Sequence, residues 1–282
     1  MISRVRLAIL AAVVVASCSA QAAAPTDFRG SRAKPAADRY QACLDRASKQ
    51  PEPAYEDAMS WRAEGGGPPA EHCAAVALTG MKKFADAGER LDKLGENPAL
   101  GDASMRSEVL AQAGNAWLLA GRPAQAAQSF NAALSFVPGD ADTLIDRARA
   151  SALLGRWPAA EQDLSAALVS NPSLVEALVL RASARRAQGN WPGAEGDATK
   201  AILLEPNSLE ALVELGLIRA GKGDKAGARE AFLAVLAKDP KSPAADSARD
   251  AIASLDVRPP RTPRILPNKP AAQTAEPPPL RR

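Results

Sequence analysis

Four prolines stand 34 residues apart, at Pro138, Pro172, Pro206 and Pro240, and four glycines keep the same step, at Gly121, Gly155, Gly189 and Gly223. Four alanines do likewise: Ala126, Ala160, Ala194 and Ala228. A fixed period of this length specifies a stack of similar supersecondary units. Such stacks present long open surfaces rather than closed pockets, so the period points to binding before catalysis.

One unit runs from Ser107 to Asp140. An apolar helical run from Glu108 to Ala120 is followed by Gly121-Arg122-Pro123 and a second run from Ala124 to Phe136. The glycine suits the left-handed residue that ends a helix. Pro123 suits the first turn of the next, where its missing donor costs nothing, and Pro138 stops that helix. The other units are 141–174, 175–208 and 209–242.

These spacings resemble the tetratricopeptide repeat. Position 4 of the unit is Leu110, Leu144, Leu178 and Leu212, and position 8 is Gly114, Ala148, Ala182 and Gly216. Position 20 is alanine throughout, and position 27 is Ala133, Ala167, Ala201 and Val235. Position 24 is Phe130, Leu164 and Phe232 but departs from the pattern at Ala198. The resemblance implies an all-α fold, a right-handed superhelical solenoid of antiparallel helix pairs. It also implies that positions 2, 5, 6, 9, 12 and 13 of each first helix face a concave groove. That places Asn115, Leu118, Leu119, Ile145, Asp146, Arg149, Leu153, Val179, Leu180, Ser183, Arg186, Val213, Glu214 and Leu217 against a partner peptide or helix. The family's clamp for a C-terminal carboxylate needs Lys, Asn and Arg together. Asn115 fits one such position, but Asp146 stands where another Asn belongs, which argues against that ligand.

Two positions change together. Position 7 is Ala113 and Leu215 in the outer units but Arg147 and Arg181 in the inner ones, while position 23 passes from Ser129 and Ala231 to Asp163 and Asp197. The double switch predicts ion pairs Arg147–Asp163 and Arg181–Asp197 joining the two helices of a unit.

Residues 1–22 read as a secretory signal peptide, with Arg4 and Arg6, an apolar core from Leu7 to Ala16, and Ala20-Gln21-Ala22 for cleavage. The apolar core is too short to span a membrane. A second reading stays open. Val15-Ala16-Ser17-Cys18 resembles a bacterial lipobox, which implies a 1–17 leader and a lipidated Cys18. Residues 23–35 form a flexible linker after the signal peptide, and on the lipobox reading the tether is residues 19–35. Either address puts the domain outside the cytoplasm, in the periplasm or anchored at the outer membrane of a Gram-negative envelope.

Cys43 and Cys73 remain, an even count that suggests a disulfide in an oxidising compartment. They lie in separate helical runs, Ala36–Ser48 and Ala70–Met81. His72, the one histidine, neighbours Cys73, but adjacent residues on a helix point about 100° apart, so this is no thiol–imidazole pair. No metal-ligand spacing and no cofactor motif is present.

Residues 36–101 read as divergent, degenerate helical pairs. Lys83 to Leu94 looks like the second helix of a worn unit with Ala87 at position 20; Pro53–Ala63 is a further helix, and 96–103 is a longer loop. Residues 243–256 read as a capping helix that shields the last apolar face. The segment 257–282 has eight prolines, five arginines, one lysine and one glutamate, the composition of a disordered tail. The whole chain is +3, of which the leader gives +2 and the tail +5, so the stretch between them is −4. Basic balance is thus a property of the tail. With an exported address and 4% aromatics, nucleic acid is excluded as a partner.

The sequence therefore predicts a non-catalytic protein-interaction scaffold of the bacterial envelope. A narrower reading is a lipid-anchored accessory subunit of an outer-membrane assembly or secretion machine. A glycan-processing enzyme with paired carboxylates is the remaining alternative, but nothing marks two acids as a pair, and no phosphate loop or nucleophile motif is present.

Overall fold

The computed structural model describes residues 33–256, which hold thirteen α-helices and no strand. The expected signal segment, Cys18 and the basic segment 257–282 lie outside the described residues. In chain order the helices are α1 Ala33–Ala47, α2 Pro51–Ala63, α3 Gly67–Gly80, α4 Phe84–Glu96, α5 Ala103–Leu119, α6 Pro123–Phe136 and α7 Ala141–Leu153. They continue as α8 Trp157–Ser170, α9 Val175–Ala187, α10 Trp191–Leu204, α11 Leu209–Gly221, α12 Lys225–Lys238 and α13 Pro243–Asp256.

Each unit is a hairpin of two antiparallel helices laid on the next. First helices of successive units (α5, α7, α9, α11) touch one another, as does α11 with the closing helix α13, whereas no comparable contact joins the second helices α6, α8, α10 and α12. Helices that touch lie on the inside of the curve, so the first helices line the inner face of the solenoid and the second helices its outer face.

The turns explain the glycine column. Gly121, Gly155, Gly189 and Gly223 take φ between 71° and 86°, where a side chain is strained. The worn unit keeps that turn with Lys82 at φ 59°, the one non-glycine at positive φ among the described residues. Lys82→Gly is expected to stabilise the protein by about 1 kcal/mol, the strain of a left-handed L-residue. Urea titration reads this as a higher midpoint; an unchanged or lower midpoint would show that the turn carries no strain.

Positions 8 and 24 are packed against each other. A Cβ built on Gly114 would stand 2.4 Å from the Phe130 ring, and one on Gly216 would stand 2.4 Å from the Phe232 ring. Both phenylalanines are fully buried. Units with alanine at position 8 carry a smaller partner, Leu164 or Ala198, so the two columns divide a fixed volume between them. The departure at Ala198 belongs to this trade, with Ile202 and Trp191 packed around it.

Several boundaries differ from the sequence expectation. α5 begins at Ala103, not Glu108, because the Asp102 carboxylate accepts from the Met105 amide and caps the helix there. The expected loop at 96–103 shortens to 97–102 and contains a 3₁₀ turn, Pro98–Leu100. α3 begins at Gly67, not at Ala70, with Pro68 and Pro69 in its first turn, where proline is tolerated. α1 begins at Ala33, inside the expected linker. The capping helix forms as α13, with Ala245 and Ala248 buried against the last unit.

Candidate partner-binding face

One side-chain bond or ion pair joins each neighbouring pair of first helices, from α1 to α11. Tyr40 on α1 lies 2.7 Å from His72 Nδ1 on α3, and His72 Nε2 lies 2.8 Å from Gln112 Oε1 on α5. Asn115 Nδ2 on α5 donates to Asp146 Oδ2 on α7 at 2.9 Å. Arg149 on α7 pairs with Asp146 and reaches across to Glu176 on α9. Arg186 on α9 donates to Glu214 Oε1 on α11 at 2.5 Å and to Ser183 Oγ at 3.3 Å. The ladder fixes the spacing of the inner helices before any partner arrives.

The groove residues expected from sequence therefore divide. Asn115, Asp146, Arg149, Arg186 and Glu214 are rungs of the ladder, and Ser183 accepts from Arg186 within α9. Leu118, Leu119, Val179, Leu180 and Leu217 are half-buried, and Leu153 is 37% exposed. Ile145 and Val213 are corrections: at 3% and 6% exposure they belong to the core and offer nothing to a partner. Position 5 points into the seam between units, where Ile145 packs with Leu134 and Leu178. Glu214 is likewise buried, so its carboxylate serves Arg186 rather than a ligand. Asp142 and Glu210, in first turns where the helix dipole favours acids, are exposed and carry no ion pair. The same holds for Glu108, which the early start of α5 moves out of its first turn.

Burial sets the electrostatics. It raises Asp146 and Glu214 above the ordinary carboxylate range despite the opposing guanidinium groups of Arg149 and Arg186. Burial, aided by Glu108, pushes Tyr40 up to about 12. It also holds His72 below its usual value, against the opposing Gln112 bond and the Glu108 charge. A histidine whose folded pKa is depressed favours the fold while the ring is neutral. Its contribution is full above the ordinary value near 6.5 and is lost as pH falls from there through the depressed folded value. Melting temperature is expected to fall from pH 7.5 to 5.5 more in the parent chain than in His72→Gln. Equal slopes would mean that His72 does not titrate against the fold.

The outer side carries a second set of polar ties. Arg147 grips Asp163 through Nε at 2.9 Å and Nη2 at 2.6 Å, and its Nη1 donates to Asn131 Oδ1 of the preceding unit at 2.8 Å. Arg181 binds Asp197 at 2.9 and 2.8 Å and Ser165 at 3.2 Å. Each arginine thus bridges three helices, α6–α7–α8 or α8–α9–α10. Sequence reasoning missed Arg185, which adds bonds of 2.8 Å to both Asp197 and Glu161. It also missed Asp92 on α4, which accepts from Trp117 Nε1 at 2.7 Å and Ser129 Oγ at 2.6 Å. The position-25 residues Asn131 and Ser165 were a usable signal. Asp92 was not, because it lies before the regular repeats.

Cys43 and Cys73 are joined by a disulfide that staples α1 to α3, with both residues buried. An open cleft of about 550 Å³ lies among α2, α3 and α4, floored by Tyr55, Leu78 and Leu94. Its Glu71 is held by Arg62 and Arg90. Among the described residues no group of three or more His, Cys, Asp or Glu side chains could hold a metal ion. No described helix is long and apolar enough to cross a membrane.

A stack of helical hairpins with a pre-spaced inner face defines an α-solenoid. Residues 111–175, 145–203 and 179–243 match the tetratricopeptide-repeat family model, and the chain carries tetratricopeptide repeats across this span. Among solved structures the chain is similar to the crystal structure of MamA, at 20% identity and TM-score 0.52, over 59% of this chain and 95% of that one. A MamA RS-1 double mutant gives 18% identity and TM-score 0.55, over 61% and 94%. YrrB, a TPR protein with an unusual peptide-binding site, gives 17% and 0.53, over 68% and 96%. These likenesses show the fold. A search of curated proteins gives no match to this chain.

Proposed function

We propose that this chain is a protein-interaction scaffold that holds a partner peptide or helix against its inner face and transforms nothing. The observation that carries the reading is the ladder. It uses up the buried polar groups between the first helices and fixes their spacing. The half-buried leucines, packed on the core by one side, and the exposed Leu153 keep apolar surface open to solvent beside exposed acids. Apolar anchors on a rigid surface with polar flanks suit peptide recognition, and a preformed surface lowers the ordering cost of binding. The two carboxylates that burial raises, Asp146 and Glu214, are each engaged by an arginine in a structural role.

Exchanging Leu153 and Leu217 together for glutamate tests the site. Each leucine anchor is worth about 1.5–3 kcal/mol when buried, so partner recovery from envelope extracts is expected to fall at least about tenfold with helicity unchanged. Undiminished recovery would remove the face from the reading.

The envelope address rests on residues 1–24. A fusion of residues 1–25 to a phosphatase active only outside the cytoplasm is expected to be active; an inactive fusion would contradict export. A lipid anchor, and with it a role as accessory subunit of an outer-membrane machine, requires Cys18. A palmitate analogue should then label the parent chain and not Cys18→Ala, and an unlabelled parent chain removes the anchor.

A further inference from the structure

We infer that the segment 257–282 is itself a ligand of the inner face, docking there intramolecularly and competing with the partner. The inference rests on the reading of that face as a polypeptide-binding surface, and it adds an occupant from within the chain.

Charge is the first argument. Asp142 and Glu210 stand exposed on the first turns of α7 and α11, and Glu108 on the second turn of α5, with no ion pair, and Glu176 on α9 is half exposed with a single arginine partner. The arginines of that face, Arg149 and Arg186, are already committed to neighbouring helices. What the inner face shows to solvent is therefore acidic with leucines between. The segment 257–282 is its complement: five arginines and one lysine against one glutamate, with Ile265 and Leu266 among them. Its eight prolines restrict the chain, so docking costs less conformational entropy than for an ordinary peptide.

Reach is the second argument. α13 closes the last unit, and Asp256 is held there by Arg229 while Lys225 Nζ donates to the Leu255 carbonyl at 2.8 Å. The segment therefore starts at the turn between α11 and α12, at the end of α11 remote from Glu210 and within reach of either face. A thirteen-residue helix is ~20 Å long, and four first helices side by side span ~40 Å at ~10 Å each. A 26-residue segment reaches at most ~85 Å when extended, enough to cover the whole face. The link makes the encounter intramolecular, with an effective concentration on the order of millimolar. An intrinsic affinity of only ~1 mM then leaves the face about half occupied.

Carbodiimide coupling on the full chain tests this. Lys269 is the one lysine of the segment, so each amide it forms reports where the segment lies. At ~3.3 Å per residue it stands within ~45 Å of Asp256, which admits Glu210, Glu176 and Asp142 on the inner face. Glu230 on the outer face is 82% exposed and equally in reach, which makes it the control. The expected result is Lys269 joined to Glu210, Glu176 or Asp142 in monomeric protein. Glu230 adducts should be at least tenfold rarer, and coupling to the inner face should be lost in 1 M sodium chloride and in the Asp142→Asn, Glu210→Gln variant. Coupling to Glu230 as often as to Glu210, no coupling to the inner face, or coupling only in cross-linked dimers would each overturn the inference. Partner binding is read separately, through the leucine exchange. Coupling without partner recovery sinks the scaffold reading alone, and partner recovery without coupling sinks this inference alone.

Discussion

Replacing Asp197 with alanine is expected to lower stability by about 3–5 kcal/mol, the cost of leaving buried charge without its partner. Asp197 is 6% exposed and accepts from two arginines, Arg181 through two bonds and Arg185 through a third. Its loss leaves both guanidinium groups facing one another with fewer acceptors, Ser165 for the first and Glu161 for the second. Asp163 serves one arginine, so Asp163→Ala is expected to cost less. The joint replacement Arg181→Met with Asp197→Leu removes charge from both sides and should recover part of the loss, because paired apolar substitution of a buried ion pair is often neutral. Guanidinium titrations of these variants measure the effect. An Asp197→Ala cost below that of Asp163→Ala would contradict the bridging role.

The second large effect is confined to one end. The Cys43–Cys73 bond closes a loop of 30 residues, which corresponds to about 3–4 kcal/mol of lost chain entropy in the unfolded state. Solenoid stability is close to a sum of neighbour terms, so the loss should not spread evenly. Without the bond, α1 keeps the Tyr40–His72 hydrogen bond and the packing of Leu44 against Ala74 and Met59. Reduction, or Cys43→Ser, is expected to open an early transition of α1 and α2, read by hydrogen exchange, while α7 to α12 keep their protection. Uniform loss of protection along the chain would show that the array unfolds as one unit.

Legibility followed the period. From Leu110 to Ser242 each residue has counterparts 34 positions away, so helix ends, αL turns, small crossings and the coupled Arg–Asp columns could be compared across four copies. The register itself carried the information. Before Ala103 the counterpart is a worn unit out of step with the 34-residue period, so the Asp102 cap and the proline-started α3 had no regular copy to be read against. The inner face was legible as a set of helix positions but not as a surface. Position 5 is seam at Ile145 and Val213 yet half exposed at Val179, and only the packing of adjacent units decides which. The His72 contacts join residues 32 and 40 apart in sequence through three different helices, a relation that no spacing encodes.

The central claim is that the inner face is where another polypeptide is held. A photo-reactive residue placed at position 153, on the inner face, is compared in living cells with one at Leu203 on the outer face, which is 76% exposed. The account predicts discrete protein adducts at 153 and none of the same mass at 203, although 203 is the more accessible site. Equal adducts at both positions, or adducts only at 203, would contradict it.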